Sequence, residues 1–402
     1  MTTKADLKPL HIAVVTETYP PEINGVANTM RHLVAGLTRR GHRLHLIRPH
    51  QHRGADQPDP AADTETLVPG LPLPGYRGLR LGLPVYWRIR RLWRQGHRPD
   101  IVYIATQGPL GHAALNAARR AGIPAITGFH TQFDQYSRHY GLGLLTQQIA
   151  QTLKHFHNRS HATLVPTPEL RDHLTQEGFH NVHLFGRGVD TQLFDPARRN
   201  PTLRAAWGSD AGELVALYVG RLAAEKNLEL ALRSFQAIAA QDPSARLVLV
   251  GDGPGLEKLR HDYPDHRFVG PKVGEELAEH YASGDLFLFP SLTETFGNVV
   301  LEAMASGLGV VAFNYAAAHT YIASGRNGIT VTPGDEEAYL TAAVEIAGDH
   351  ERLSHLGRAA RRTAERLDWD HVIAGIEEQL ASIIRHGHRR AKRPETRAAV
   401  SH

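Results

Sequence analysis

From residue 11 the chain alternates short apolar runs with segments of helical period, and from residue 214 the alternation begins again. Runs at 11–16 (HIAVVT), 43–48, 101–105, 124–128 and 162–166 read as buried strands. Pro20-Pro21 and Asn24-Gly25 mark a loop after the first of them. Residues 26–40 then carry a helical period through Val26, Met30, Leu33, Val34 and Leu37, stopped by Gly41; 110–121 and 145–157 read as further helices. The second series has strands at 214–219 (LVALYV), 246–250, 267–270, 285–289 and 309–313, with helices at 227–241, 255–261, 274–282 and 298–306. Strand and helix in turn give a parallel sheet covered on both faces, because each parallel connection needs a crossover. The expected fold is therefore α/β: two Rossmann-like, doubly wound parallel-sheet domains facing across a cleft. The boundaries read as 1–186 for the first domain and 187–367 for the second, which helices over 336–366 complete. Residues 369–384 follow with an apolar face of Val372, Ile376, Leu380 and Ile383. Lying beyond a complete unit, the segment 368–385 is expected to cross back onto the first domain. The basic, aperiodic tail 386–402 is expected to be disordered.

Composition excludes several classes. Nothing in the 402 residues is an apolar run of ~18, so no spanning helix is expected. The N-terminus passes directly into a strand and does not read as a signal peptide. With no cysteine there is no thiolate chemistry, which fits a cytoplasmic setting. The 26 histidines are scattered, without metal-ligand spacing. Asp368-Trp369-Asp370 precedes a helical pattern and reads as a cap rather than a metal–nucleotide site. The formal charge is only +4, and no nucleic-acid-binding module appears, so nucleic acid is not expected as a partner.

In open α/β sheets ligands bind outside the carboxyl ends of the strands, so residues just after strands are the candidates. The most informative stretch is 289–309, FPSLTETFGNVVLEAMASGLG. An apolar strand ends, a polar loop follows, and a helix apolar nearly all round begins near Asn298. The N-terminus of a buried helix offers unpaired N–H groups and a positive dipole end to an anion such as phosphate. Glu294 lies before that helix and Glu302 inside it. A carboxylate in an apolar helix must be hydrogen-bonded; vicinal sugar hydroxyls would serve, and so would a purely structural donor. After the strand 214–219, Arg221 and Lys226 precede a helix and suit a diphosphate clamp. Gly25 opens a helix where backbone can approach a phosphate. His130, with Asp134 nearby, follows the strand 124–128. Gly270-Pro271-Lys272-Val273 could supply backbone groups to a nucleobase, and the turn Gly251-Asp252-Gly253-Pro254 reads as structural.

Together these segments resemble the retaining glycosyltransferases of family 4, of GT-B fold. The motifs are PPEINGV, FHTQFDQY, GRGVD (186–190), GRLAAEKN (220–227), YASGDLFLFPS (281–291), ETFGNVVLEAMASG (294–307) and NGITVTPGD (327–335). The closest subset is the membrane-lipid enzymes that make sulfoquinovosyl- and mannosyl-glycerolipids. The resemblance implies that Glu302 holds the donor ribose, while Glu294 and the backbone of Phe296, Gly297, Asn298 and Val299 hold the donor sugar. It gives Arg221 and Lys226 the diphosphate and admits the phosphates at Gly25; Val273 is the donor-side candidate of the 270–273 turn. His130 falls on the sugar side of the cleft; Glu22, Asn24 and Asp134 fall on the acceptor side. It implies no cofactor and no metal, a UDP- or GDP-linked sugar as donor, and a lipid or glycan acceptor. One departure stands out: Gly309 replaces the usual Pro, and Asn314-Tyr315-Ala316-Ala317-Ala318-His319 replaces a Gly-Gly-x-Pro-Glu turn, which bears on donor selectivity.

Between the second and third strands of the first series, residues 70–98 (GLPLPGYRGLRLGLPVYWRIRRLWRQGHR) hold no acid. Arg77, Arg80, Arg88, Arg91 and Arg94, with Tyr86, Trp87 and Trp93, suit docking to an anionic membrane surface. A helix from Pro84 would gather Val85, Ile89 and Leu92 on one face, with Tyr86 and Trp93 beside them. The alternative is an ordinary helix whose apolar stripe packs on the sheet. The expectation is a cytoplasmic enzyme bound peripherally to the inner face of the membrane.

Overall fold

The computed structural model describes residues 8–22, 24–50, 58–72, 80–130, 146–294 and 296–391. The first sheet uses β1 (His11–Val15), β2 (Arg43–Pro49), β3 (Thr64–Val68), then, after a short antiparallel hairpin of β4 (Gly70–Pro72) and β5 (Arg80–Gly82), β6 (Ile101–Ile104), β7 (Ala125–Gly128), β8 (Ala162–Val165) and β9 (Val182–Leu184). Its seven strands run parallel in the order β3-β2-β1-β6-β7-β8-β9, with the switch point beside β1. The second sheet takes β10 (Val215–Val219), β11 (Arg246–Val250), β12 (Arg267–Gly270), β13 (Leu286–Phe289), β14 (Gly309–Phe313) and β15 (Ile329–Val331), in the order β12-β11-β10-β13-β14-β15. Both are the doubly wound parallel sheets expected. The central strands are buried on both faces, which is why they read as unbroken apolar runs rather than alternations. Edge elements such as β3, β9 and β15 escaped the reading; their exposed or half-buried residues carry little apolar signal.

The two faces of the first sheet have different covers. On one, the helices Tyr86–Arg94, Pro109–Ala121 and Thr146–Asn158 pack over Ala13, Val15, Val102 and Ile104. On the other, Gly25–Arg39 is joined by the last helix of the chain, Trp369–Ala391. Trp369, Ile373, Ile376 and Leu380 share one core with Met30, Leu33, Ile12 and Val14. The closeness is visible at Gly36, where an added Cβ would meet Ile373 Cγ1 at 2.6 Å. Glu377 on this helix accepts from Arg40 at 2.6 Å and lies 3.0 Å from His42. Asp368 caps it, accepting from the N–H of Asp370 at 3.0 Å.

The chain therefore crosses between the sheets twice. The outgoing and returning segments touch: Val189 N–H donates to the carbonyl of Leu367 at 3.0 Å, and a Cβ on Gly188 would come within 2.8 Å of the Trp369 backbone.

The helix expected from Pro84 begins at Tyr86 and ends at Arg94. Its apolar face turns inward. Ile89 is fully buried and Trp93 only 4% exposed, so Trp93 is a core residue and not a membrane anchor. An indole of that size gains more from the sheet surface than from water.

Candidate active site

The donor-side residues converge where β13 delivers its loop to the helix Asn298–Ala305. Gly297, at φ +86°, precedes the helix in the left-handed region, and no side chain caps its first turn. A residue with a Cβ is strained at that φ, and glycine supplies no side-chain oxygen to the first N–H groups of the helix. Phe296 is buried beneath the loop, and Val299 is half-buried against the core.

Glu302 projects from the third residue after Val299. Its Oε2 accepts from the hydroxyl of Tyr281 at 3.0 Å. Burial pushes its carboxyl up to about 7, and the Tyr281 hydrogen bond only partly opposes that rise. The structural donor allowed for in the sequence is thus present, on one oxygen.

Glu294 and Lys226 are directly ion-paired, and Ser291 Oγ donates to the same carboxylate at 2.9 Å. The turn carrying Lys226 is stitched to the donor loop, since Thr293 Oγ1 donates to the carbonyl of Glu225 at 2.7 Å. Arg221 pairs with Glu225 at 3.1 Å. Both proposed diphosphate cations are therefore positioned by carboxylates. Val273, at the start of the helix Gly274–Ala282, is 53% exposed. Among the described residues no three His, Asp or Glu side chains converge as metal ligands.

Across the cleft, Gly25 faces the donor helix. Asn298 Nδ2 donates to the Gly25 carbonyl at 3.4 Å, and a Cβ at Gly25 would lie 3.2 Å from that amide nitrogen. A side chain here would crowd the Asn298 amide. Asn24 has a local role: its side chain caps the helix Gly25–Arg39, accepting from Ala27 N–H at 2.8 Å, and donates to Thr18 Oγ1 at 2.7 Å. Glu22 accepts from the hydroxyl of Thr18. These bonds order the loop that carries Gly25. Asp134 lies outside the described residues, as does Arg77.

His130 is buried at the end of β7, and both ring nitrogens are engaged. Nδ1 accepts from Arg187 at 2.7 Å, and Nε2 lies 3.0 Å from the Tyr103 hydroxyl. Burial, then the nearby Arg187 and His157, hold it well below the usual histidine range. It is a neutral imidazole at physiological pH.

Two residues were missed. Arg187, in the GRGVD segment, gave no sign in the sequence of being buried between domains. Glu17, at the carboxyl end of β1, accepts from Leu110 N–H at 2.9 Å and anchors the start of the helix Pro109–Ala121. Burial raises its carboxyl to about 7. A signal was available: that helix has no acidic residue in its first turn, so its dipole needed a carboxylate from elsewhere.

On the outer surface, Trp87 is 75% exposed, and Arg88, Arg91 and Arg94 are exposed beside it. Tyr86 is half-buried, its hydroxyl accepting from Arg90 at 3.2 Å. Arg80 is half-buried and donates to the carbonyl of Gly70 at 2.6 Å, so it braces the hairpin rather than projecting freely. Leu71, in the middle of β4, and Leu83, just after β5, are exposed. Among the described residues no helix is long and apolar enough to cross a membrane.

Residues 23–193 match the model of Glycosyltransferase Family 4, and residues 213–349 that of Glycosyl transferases group 1. The chain is 34% identical over 362 residues to a GDP-mannose-dependent alpha-mannosyltransferase of Mycobacterium tuberculosis, covering 90% of this chain and 93% of that one. It is 30% identical over 387 residues to a sulfoquinovosyl transferase of Arabidopsis thaliana, covering 93% and 74%. A sucrose-phosphate synthase structure from Thermosynechococcus elongatus superimposes with a TM-score of 0.76 at 18% identity, over 93% of this chain and 99% of the other, which establishes the shared fold. With two matched models and relatives aligned along nearly the full length, the chain belongs to glycosyltransferase family 4 and is a hexosyltransferase of GT-B architecture.

Proposed function

We propose that this enzyme moves a hexose from a UDP- or GDP-linked sugar to a membrane lipid, diacylglycerol or a glycolipid, with retention of configuration and without a metal. The observation that carries the reading is the Glu294–Lys226 ion pair, stitched through Thr293 and Glu225 to the loop that leads into the helix Asn298–Ala305. Negative charge grows on the departing diphosphate while the sugar becomes oxocarbenium-like. Preoriented cations and N–H dipoles lower that barrier without reorganising. Lys226 and Arg221 take the phosphate charge, and Glu294 orders the sugar hydroxyls while keeping Lys226 in place. The reading includes no covalent glycosyl intermediate. The acceptor attacks from the face the diphosphate leaves, and the leaving phosphate oxygen takes its proton. The lipid acceptor is supported by the names of the relatives, which include an alpha-monoglucosyldiacylglycerol synthase of Acholeplasma laidlawii as well as the sulfoquinovosyl transferase. Screening UDP- and GDP-hexoses for transfer to diacylglycerol and to glycolipids tests the reading; turnover only with soluble glycans would overturn the acceptor.

Nucleotide affinity should depend on pH through Glu302. Ribose hydroxyls donate to the ionised carboxylate, and burial sets its titration at about 7. Binding is then complete well above 7 and weakens as pH falls. At one pH unit below that value, UDP or GDP should bind about tenfold more weakly than at the high-pH limit. Calorimetric titrations across this range should show the slope, and Glu302→Gln should flatten it.

For membrane docking, the buried positions of Ile89 and Trp93 leave the opposite face of Tyr86–Arg94 to meet lipid. Trp87, Leu71 and Leu83 would enter the interface while Arg88, Arg91 and Arg94 meet anionic headgroups, each worth about 1 kcal/mol near such a surface. Replacing those three arginines by Gln should weaken sedimentation with anionic vesicles and reduce its salt dependence. Equal binding to neutral and anionic vesicles, or binding to neither, would remove the membrane from the account.

A further inference from the structure

Three arginines are buried among the described residues: Arg48, Arg187 and Arg204. Arg48 pairs with Glu65, and Arg204 lies 3.0 Å from Asp285. Arg187 meets no carboxylate among the described residues. Its guanidinium lies over the ring of Phe185 at 4.8 Å and faces Phe296 at 6.0 Å. It donates to His130 Nδ1 at 2.7 Å and, more weakly, to the Phe185 carbonyl at 3.4 Å. Burying a cation is costly, and the aromatic faces offset only part of that cost. Such a residue sits between the domains for what it does to its neighbours.

What it does to His130 follows from hydrogen-bond inventory. A guanidinium can only donate, so His130 Nδ1 must carry a lone pair. The ring proton is then on Nε2, and the hydrogen bond at 3.0 Å runs from Nε2–H to the Tyr103 oxygen. The chain of donors has one direction, from Arg187 through His130 to Tyr103. Arg187 also touches Phe296, the residue just before Gly297 and the donor helix. One side chain therefore fixes the tautomer of an imidazole in the first domain and its place relative to the sugar loop in the second.

We propose that Arg187 is a positioning residue for sugar transfer: it locks His130 as the neutral Nε2–H tautomer and registers it against the Phe296–Asn298 loop. The inference rests on the reading of His130 as a sugar-side residue. Loss of the lock should lower kcat rather than donor binding, because the imidazole is still present but no longer held in one orientation. An imidazole whose orienting partner is removed loses at least about tenfold in turnover.

The test uses the full-length protein with Arg187→Met, Arg187→Lys, His130→Gln and the double variant Arg187→Met/His130→Gln. Methionine replaces a buried charge with apolar volume, so folding should survive. Long-range ¹⁵N–¹H spectra, with the His130 signals assigned by their absence in His130→Gln, should show an unprotonated Nδ1 in the parent. Arg187→Met should show mixed tautomers, and Arg187→Lys, which keeps a donor, should restore the parent pattern. Release of nucleoside diphosphate from GDP-mannose or UDP-glucose, whichever turns over, should fall at least tenfold in kcat for Arg187→Met at little change in KM. In the His130→Gln background the same substitution should cost less than about threefold, since coupled residues do not add. An unchanged tautomer in Arg187→Met would overturn the proposal. So would a full, independent loss in the His130→Gln background. Normal turnover of His130→Gln would instead remove His130 from the site, with the tautomer spectra still deciding whether Arg187 sets the ring.

Discussion

Glu294→Ala is expected to lower kcat/KM by about 10²–10³-fold, a loss of about 2.7–4 kcal/mol of transition-state stabilisation. The carboxylate holds Lys226 and Ser291 in the free enzyme, so its removal frees the ammonium as well as the sugar side of the loop. Nucleotide binding should persist, because Glu302 and Val273 lie on other turns. Lys226→Ala should cost a similar amount, about 2–4 kcal/mol, and it leaves Glu294 half-buried without its cation. Because the two groups are bonded to each other, the double variant should lose little more than the worse single one. Arg221→Ala is separate, held by Glu225, and its loss should add to either. Steady-state kinetics decide between roles: a change confined to KM would make these residues ground-state clamps. Near-normal turnover of Glu294→Ala would take it out of the chemistry.

Truncation before Trp369 is expected to unfold the first domain. Four side chains of the last helix, Trp369, Ile373, Ile376 and Leu380, are buried in that core. At about 1.5–3 kcal/mol each, their burial is an upper estimate of about 6–12 kcal/mol, comparable with the whole net stability of a domain. The ion pair of Glu377 with Arg40 is lost as well. A milder version, Ile373→Ala, should cost about 2–5 kcal/mol, because the cavity opens against the fixed backbone of Gly36. Thermal unfolding followed by tryptophan fluorescence measures both. Melting of the truncated chain at the parent temperature would show that the helix is an accessory and not part of the core.

The sequence made the central strands legible because a buried parallel strand is apolar at every position, as in the stretch 215–219. It also gave the donor loop, since Glu294, Gly297 and Glu302 lie within one continuous segment whose strand–turn–helix order is written in residue types. Legibility ended where side chains from distant segments meet. Arg187 and His130 are brought together by two strand ends and an interdomain crossing, and no local pattern distinguishes a buried arginine from a solvated one. The same limit misassigned Trp93. On a helix bearing arginines at 88, 90, 91 and 94, an indole fits either a lipid interface or a sheet, and only the burial of Trp93 in the core that holds Val15, Val102 and Ile104 decides. The Glu294–Lys226 pair was likewise invisible, because the two residues were read as facing different parts of the donor.

The double crossing at Val189 and Leu367 has a consequence for how the molecule is made. On the ribosome, the whole second domain emerges between the first sheet and the helix that covers it. At roughly 5–20 residues per second, that is an interval of some ten seconds or more. Throughout it, the face that Trp369, Ile373, Ile376 and Leu380 will bury has no cover, while the second sheet receives its last strand at Val331, before the covering helix begins. The half that starts first must therefore finish last, only once the helix Trp369–Ala391 has emerged. A polypeptide released early would carry a folded donor domain tethered to an unfinished partner with an open apolar face, the kind of species that chaperones and proteases recognise.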